Sequence, residues 1–436
     1  MNRTSMQQAG RHLDAATGRS AIRRREKSGV RSIVSVGALM LVAGCSANDG
    51  NAPWLGEVVE VASPGEPGGR YPHLAVGTDD AVVMSWLQPV GDRRHELRYA
   101  SLQESTWTDA RTVAAGDDWF VNWADFPSVV PGLDSLLAAH WLQQRPGHTY
   151  SYDVRLAVSA DSGQTWTEPM SPHDDGTPTE HGFATLLPVG PSVLAIWLDG
   201  RRTEGGEGHD HGTAGAMTLR SLTIDRGGLG SDAGAEIDAR VCDCCQTDAA
   251  LTDEGPILVY RDRSVAEIRD IGVVRLTAAG WTAPQLVHAD GWLMTGCPVN
   301  GPAIDARGHE VAVAWFTAPD QPRVRLAFSS DSGRTFSPPV EVAAGGVAGR
   351  VDVVLLADGR AVVSWLADAP GGAEFVVQPF ARDGTVAGPP VLIARSSIER
   401  SSGFPQMVRS GDRLIFAWTQ PGEPPSLRTA TARLLR

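Results

Sequence analysis

Three cysteines share one short stretch, Val241-Cys242-Asp243-Cys244-Cys245-Gln246-Thr247-Asp248, and Cys297 follows about fifty residues later in Gly296-Cys297-Pro298. In an oxidising compartment these sulfurs form disulfides. Vicinal Cys244–Cys245 and tight Cys242–Cys244 bonds are strained, which favours Cys297 bonded to one of the three, with Cys242 to Cys245 or a similar closure. As thiolates the four would instead suit copper(I) or zinc. A reactive redox cysteine is the third reading. His181, His209 and His211 are the candidate additional ligands of a metal, although His209 and His211 stand in the Gly-rich run Gly205 to Gly212, which also reads as a solvated loop.

What positions these groups is a repeat. A short apolar strand, a Gly or Asp turn and a second apolar strand ending in an aromatic recur seven times, closing at Trp86, Trp141, Trp197, Tyr260, Trp315, Trp365 and Trp418. A third alternating strand and a weaker fourth follow in most units. Four short strands at a period of about fifty residues predict an all-β chain folded as a single β-propeller of seven four-stranded blades, with six as the alternative count. The last unit lacks its fourth strand and the first is preceded by an extra one, Glu57 to Val61. That segment is expected to pair beside Arg428 to Leu434 and close the ring, which removes free sheet edges.

Two turns, Ser159-Ala160-Asp161-Ser162-Gly163-Gln164-Thr165-Trp166 and Ser329-Ser330-Asp331-Ser332-Gly333-Arg334-Thr335-Phe336, share the pattern S-x-D-x-G-x-T-[W/F]. This resembles the Asp-box of sialidase-like β-propellers, an architectural hairpin turn whose Asp caps backbone N–H groups. The resemblance implies a funnel face built by the loops leading into each inner strand and those joining second to third strands. Those loops carry Arg70 and His73; Trp119, Trp123 and Asp125; Glu180 and His181; Gln246 and Asp248 beside the cysteines; Trp292 and Asn300; Arg350 and Asp352; and Gln406. Concave polar faces of this kind bind small molecules. The tryptophans would stack on sugar faces or pack between blades.

A sialidase of that family clamps a carboxylate with three Arg and uses an Asp acid/base and a Tyr nucleophile polarised by Glu. Gly69-Arg70-Tyr71-Pro72 is similar to its F-R-I-P motif at Arg70 and Pro72. Arg261 and Arg350 are the candidates to complete the clamp, and Asp125 and Glu180 the candidate acids. For the nucleophile, Tyr71 and Tyr99 read as strand residues, Tyr150 and Tyr152 as the edge of a loop, and Tyr260 as a packing position. Seven units also depart from the six blades of sialidases. The expectation is therefore a non-catalytic propeller whose funnel binds a glycan, another small ligand or a metal, with an exo-sialidase or related glycoside hydrolase as the alternative.

Residues 1–45 read as a targeting segment: Arg23, Arg24, Arg25, Lys27 and Arg31 precede an apolar run from Ile33 to Ala43. Eleven residues are too few to span a bilayer. Val42-Ala43-Gly44-Cys45 resembles a bacterial lipobox, which implies a lipidated Cys45, residues 46–54 as a polar tether and 55–436 as the propeller. Ser46 after the cysteine implies the outer membrane, with contact through the anchor alone. Removing the eight basic and two acidic leader residues from totals of 38 and 51 leaves a net charge near −19. That balance excludes a basic nucleic-acid face. A monomer is expected.

Overall fold

The second strand of every unit is buried almost throughout: Val82–Pro89, Leu137–Gln144, Ser192–Asp199, Gly255–Arg261, Glu310–Thr317, Ala361–Ala369 and Arg413–Gln420. Each has a blade on either side, so the apolar residues form continuous runs rather than alternating with polar ones. A computed structural model describes residues 53–146, 149–203, 215–229 and 234–435. It comprises seven antiparallel sheets forming a β-propeller. The inner strands touch in chain order, from Arg70–Val76 through Ser128–Pro131, His181–Val189, Asp248–Thr252, Ala303–Arg307 and Val347–Leu355 to Gln406–Ser410, which returns to Arg70–Val76. In blade two the outer strand is reduced to Met170 bridging Leu156.

The ring closes as the repeat count predicts. Val59–Val61 completes blade seven by pairing with Ser426–Arg433, Val59 opposite Thr431 and Val61 opposite Thr429. The aromatics that end the second strands are buried between blades, and three satisfy their indole N–H two residues further along the same strand: Trp86 on Gln88, Trp197 on Asp199 and Trp418 on Gln420.

Two further devices tie one blade to the next. Asp248, Asp305 and Asp352 each accept the backbone N–H of the following blade's inner strand, at Ile304 (2.8 Å), Leu355 (2.6 Å) and Met407 (2.7 Å). The paired S-x-D-x-G-x-T turns form the other. Asp161 accepts the N–H of Gln164 and of Thr165 at 2.9 Å, and Asp331 accepts those of Arg334 and Thr335 at 3.0 and 2.9 Å. Gly163 (φ 78°) and Gly333 (φ 76°) lie in the left-handed region. A Cβ at Gly163 would lie 1.8 Å from the Tyr99 hydroxyl, and one at Gly333 would lie 2.1 Å from Ile257 Cδ1, so both turns dock on the preceding blade through a glycine.

Candidate functional site

The cysteines meet between blades three, four and five. Cys242 follows the outer strand Ala235–Val241, Cys244 and Cys245 run toward Asp248–Thr252, and Cys297 comes from the loop leading into Ala303–Arg307. Cys244 and Cys297 form a disulfide with Cα atoms 6.1 Å apart. Cys297 thus pairs with one of the three, as expected. The expected second bridge is absent: Cys242 and Cys245 are free, buried thiols. With the sulfurs of Cys244 and Cys297 held in a bond, two thiols remain for a metal rather than four thiolates. Burial drives the Cys242 thiol well up. Burial also opposes ionisation of Cys245, but a hydrogen bond from Cys242, the Arg261 and Arg269 guanidiniums and the Asn300 N–H outweigh it and lower its pKa.

Arg261 and Arg350 are placed by the main chain. Arg261 is buried and donates to the carbonyls of Asn300 (2.8 Å), Arg269 (2.6 Å) and Phe316 (2.6 Å), with its guanidinium 5.0 Å from the Trp292 ring centre. Arg350 donates to the Ser402 hydroxyl and to the carbonyls of Gly403, Ile398 and Glu399, and lies 4.9 Å from the Trp123 ring centre. Burial lowers it to about 10. Asn300 links the two, its carbonyl taking Arg261 and its side-chain oxygen taking the Arg350 N–H at 2.7 Å. Neither arginine presents the free fork that a carboxylate clamp needs. Arg70 differs: its Nε is buried without a hydrogen-bond partner among the described residues, and Nη2 lies 3.3 Å from His95 Nε2.

Of the two readings of the tryptophans, packing is seen for all three, with Trp119 and Trp123 partly exposed. Trp123 stacks on Phe404 at 5.7 Å beneath Arg350, Trp119 stacks on Trp141 at 5.8 Å, and Trp292 meets Phe316 edge-on. Ala124, Phe404 and the cysteine loop share one core cluster, with Trp123 and Phe126 packed against it. Gln246 bridges the mouth, donating to the Ala124 carbonyl at 2.6 Å and accepting the Gly301 N–H at 3.0 Å. Below this plug runs an axial cavity of about 640 Å³, within the range of small-molecule pockets. His73, Gln246, Asp248, Asp352 and Gln406 line it, as does Asp125; Asp80 and Leu251, at its far end, are exposed. His73 and its neighbour His140 are held neutral by burial, His73 at about 4 and His140 at about 3.

Asp125 and Glu180 do come together, on Tyr152, which lies in a strand rather than at a loop edge. Tyr152 donates to Glu180 Oε1 at 2.5 Å and lies 3.1 Å from Asp125 Oδ2. Burial raises Asp125 to about 7 and Glu180 to about 8, and drives the tyrosine well above its usual range, with both acids adding to that effect. The Tyr152 ring is wholly buried and stacked on Phe120 at 4.0 Å. The signal available in the sequence was alternation, since a strand at Tyr152–Ser159 turns Tyr152 and Val154 to one face and Asp153 to the other.

That other face carries a second polar cluster. His181 and His173 stack with ring centres 3.7 Å apart and planes 5° apart. His181 Nε2 lies 3.0 Å from Asp175 Oδ2 and 3.7 Å from Asp199 Oδ1, while His173 lies between Asp153 and Asp175 at 3.7 and 3.6 Å. His173 falls in an irregular connector, where no periodicity marks it. His209 and His211, the expected partners of His181, lie outside the described residues, as does Cys45.

No protein-family model matches the sequence, and no curated protein matches it. Solved structures do. A Dyadobacter fermentans DSM 18053 protein of unknown function aligns over 88% of this chain and 100% of its own at 13% identity, TM-score 0.49. A mutant of the NanB sialidase from Streptococcus pneumoniae aligns over 88% and 71% at 12% identity, TM-score 0.43. The Penicillium chrysogenum α-L-arabinanase, complexed with arabinobiose, aligns over 87% and 99% at 12% identity, TM-score 0.45. Sialidases and other propeller glycoside hydrolases are thus among the neighbours. The likeness is one of fold, and no activity is carried across from it.

Proposed function

We propose that this chain is a lipid-anchored, sialidase-like propeller of the bacterial envelope that binds a small ligand in its axial cavity and does not hydrolyse it. The observation that carries the reading is the engagement of Arg261 and Arg350 by backbone carbonyls, which leaves a sialoside carboxylate with no three-arginine clamp. The hydrogen-bonded S-x-D-x-G-x-T turns support kinship with Asp-box propellers, and the lipobox-like Val42-Ala43-Gly44-Cys45 supports the anchor and the outer membrane. Among the described residues no helix is long and apolar enough to cross a membrane. The acidic balance disfavours nucleic acid as a partner.

Ligand binding is tested by thermal shift of the purified protein against a panel of neutral and acidic mono- and disaccharides. A stabilising sugar that loses its effect in both His73→Ala and Gln406→Ala supports the axial cavity. One whose effect survives both variants contradicts it. The anchor is tested by fractionation: a Cys45→Ser protein that still sediments with membranes counts against it.

A second reading, an exo-sialidase, is favoured by one specific contact. Tyr152, Glu180 and Asp125 would supply the nucleophile, polariser and acid of that chemistry within hydrogen-bond reach, with Arg70 Nε unpartnered among the described residues. Against it, the Tyr152 hydroxyl is buried, whereas a nucleophile must reach the anomeric carbon.

A further inference from the structure

The cluster on the outer side of Tyr152 and Glu180 contains a contradiction that hydrogen bonding alone does not resolve. The His173 side chain is wholly buried, yet neither ring nitrogen has a hydrogen-bond partner among the described residues, and neither does Asp153 Oδ1. Buried polar atoms of this kind call for an unplaced partner. Arg145 holds the other Asp153 oxygen at 2.6 Å, which fixes the carboxylate and leaves Oδ1 turned toward the rings. His181 has a related problem. Its Nδ1 lies 3.2 Å from the Thr179 carbonyl and its Nε2 lies 3.0 Å from Asp175 Oδ2, so both nitrogens face acceptors.

We infer that Asp153 Oδ1, His173 Nε2 and His181 Nδ1 form a site for a divalent transition-metal cation, zinc being the best match. One ligand atom from each of the three residues lies within 4.8 Å of the others, and Asp153 Oδ1 is 3.7 Å from His173 Nε2 and 3.9 Å from His181 Nδ1. An ion at the centre of such a triangle is about 2.2 Å from each donor, the bond length of zinc to nitrogen and carboxylate oxygen. The Thr179 carbonyl, 3.2 Å from His181 Nδ1, is a candidate fourth donor. The opposite nitrogen of each ring faces Asp175, the carboxylate partner that orients metal-bound histidines. Asp153, Asp175 and Asp199 face Arg145 and Arg201, and Asp199 also lies 3.9 Å from Arg220, which it shares with Glu236. The rings lie parallel, so ion binding splays them until both lone pairs converge. The site joins blade two, through Asp153, to the lead-in of blade three, and the adjacent residues Tyr152 and Glu180 bridge the same two segments. An ion there pins that junction.

The test uses full-length protein in detergent, stripped with chelator and titrated calorimetrically with zinc. The Cys242→Ser/Cys245→Ser variant removes the competing thiols and is the reference. It should bind one equivalent of zinc at neutral pH with micromolar or tighter affinity, and Asp153→Asn and His173→Ala should each weaken binding at least tenfold while His288→Ala leaves it unchanged. Cobalt(II) in the reference variant should give visible d–d bands without sulfur charge transfer, and Asp153→Asn, which keeps the shape of the side chain, should abolish them even if His173→Ala fails to fold. No zinc binding in the reference variant, or binding and cobalt bands unaltered by Asp153→Asn, overturns the site.

Discussion

Tyr152 donates its hydroxyl to Glu180 at 2.5 Å from a position where none of its surface reaches solvent. Residue types that a hydrolytic centre would use thus meet at a buried tyrosine. Glu180 and Asp125 are both raised by burial, and a tyrosine between two such acids keeps its proton. The pair ties blade two to blade three.

The thiol state follows directly from the pairing. Protein unfolded without reductant and treated with N-ethylmaleimide should gain two adducts on the propeller cysteines, at Cys242 and Cys245, with Cys244 and Cys297 recovered as one linked peptide. Mass spectrometry distinguishes this from no adduct, meaning a second bridge, and from four, meaning none.

The inter-blade carboxylates predict a local stability loss. Asp352→Ala leaves the buried Met407 N–H without its acceptor and should cost about 1–3 kcal/mol in denaturant unfolding. Asp305→Ala should behave alike at Leu355. If both are neutral, these contacts do not hold the ring.

Gly163→Ala should destabilise the fold by roughly 2 kcal/mol or more, because its methyl group would overlap the Tyr99 hydroxyl. That hydroxyl is buried and has no partner among the described residues. Tyr99→Phe alone should be close to neutral, and the double variant should regain part of the loss. Equal destabilisation in the single and double variants would place the cost in the backbone conformation instead.

His140 gives a pH signature. Its folded pKa is lowered to about 3 by burial, while the unfolded chain takes up the proton near 6.5. Between these values the unfolded state binds more protons, so the contribution of His140 is complete above about pH 6.5 and is lost as pH falls toward 3. The stability of the native protein relative to His140→Gln should therefore drop by roughly 2 kcal/mol between pH 6 and pH 4. A pH-independent difference would mean that His140 is charged in the fold.

The ring was readable because its cause is periodic. Seven buried second strands ending in aromatics recur at nearly fixed spacing, and the missing strand of the last unit pointed to Val59–Val61. The site was less readable, because its determinants are not local. An arginine that feeds backbone carbonyls, as Arg261 and Arg350 do, has the same letter in the sequence as one aimed at a substrate. Tyr152 meets Glu180 across 28 residues, and His173 lies in a connector without a pattern. The four cysteines were placed together correctly, since adjacent blades bring equivalent loops side by side. Which two would bond depended on distances that spacing does not encode.

The most direct test of the account is turnover of a fluorogenic sialoside by the purified protein and by Tyr152→Phe. If the Tyr152, Glu180 and Asp125 contact is structural, the two proteins release fluorophore at the same background rate, and Tyr152→Phe shows only a lowered unfolding midpoint. Hydrolysis by the native protein that Tyr152→Phe reduces a hundredfold or more would contradict the account and establish the trio as a working catalytic centre.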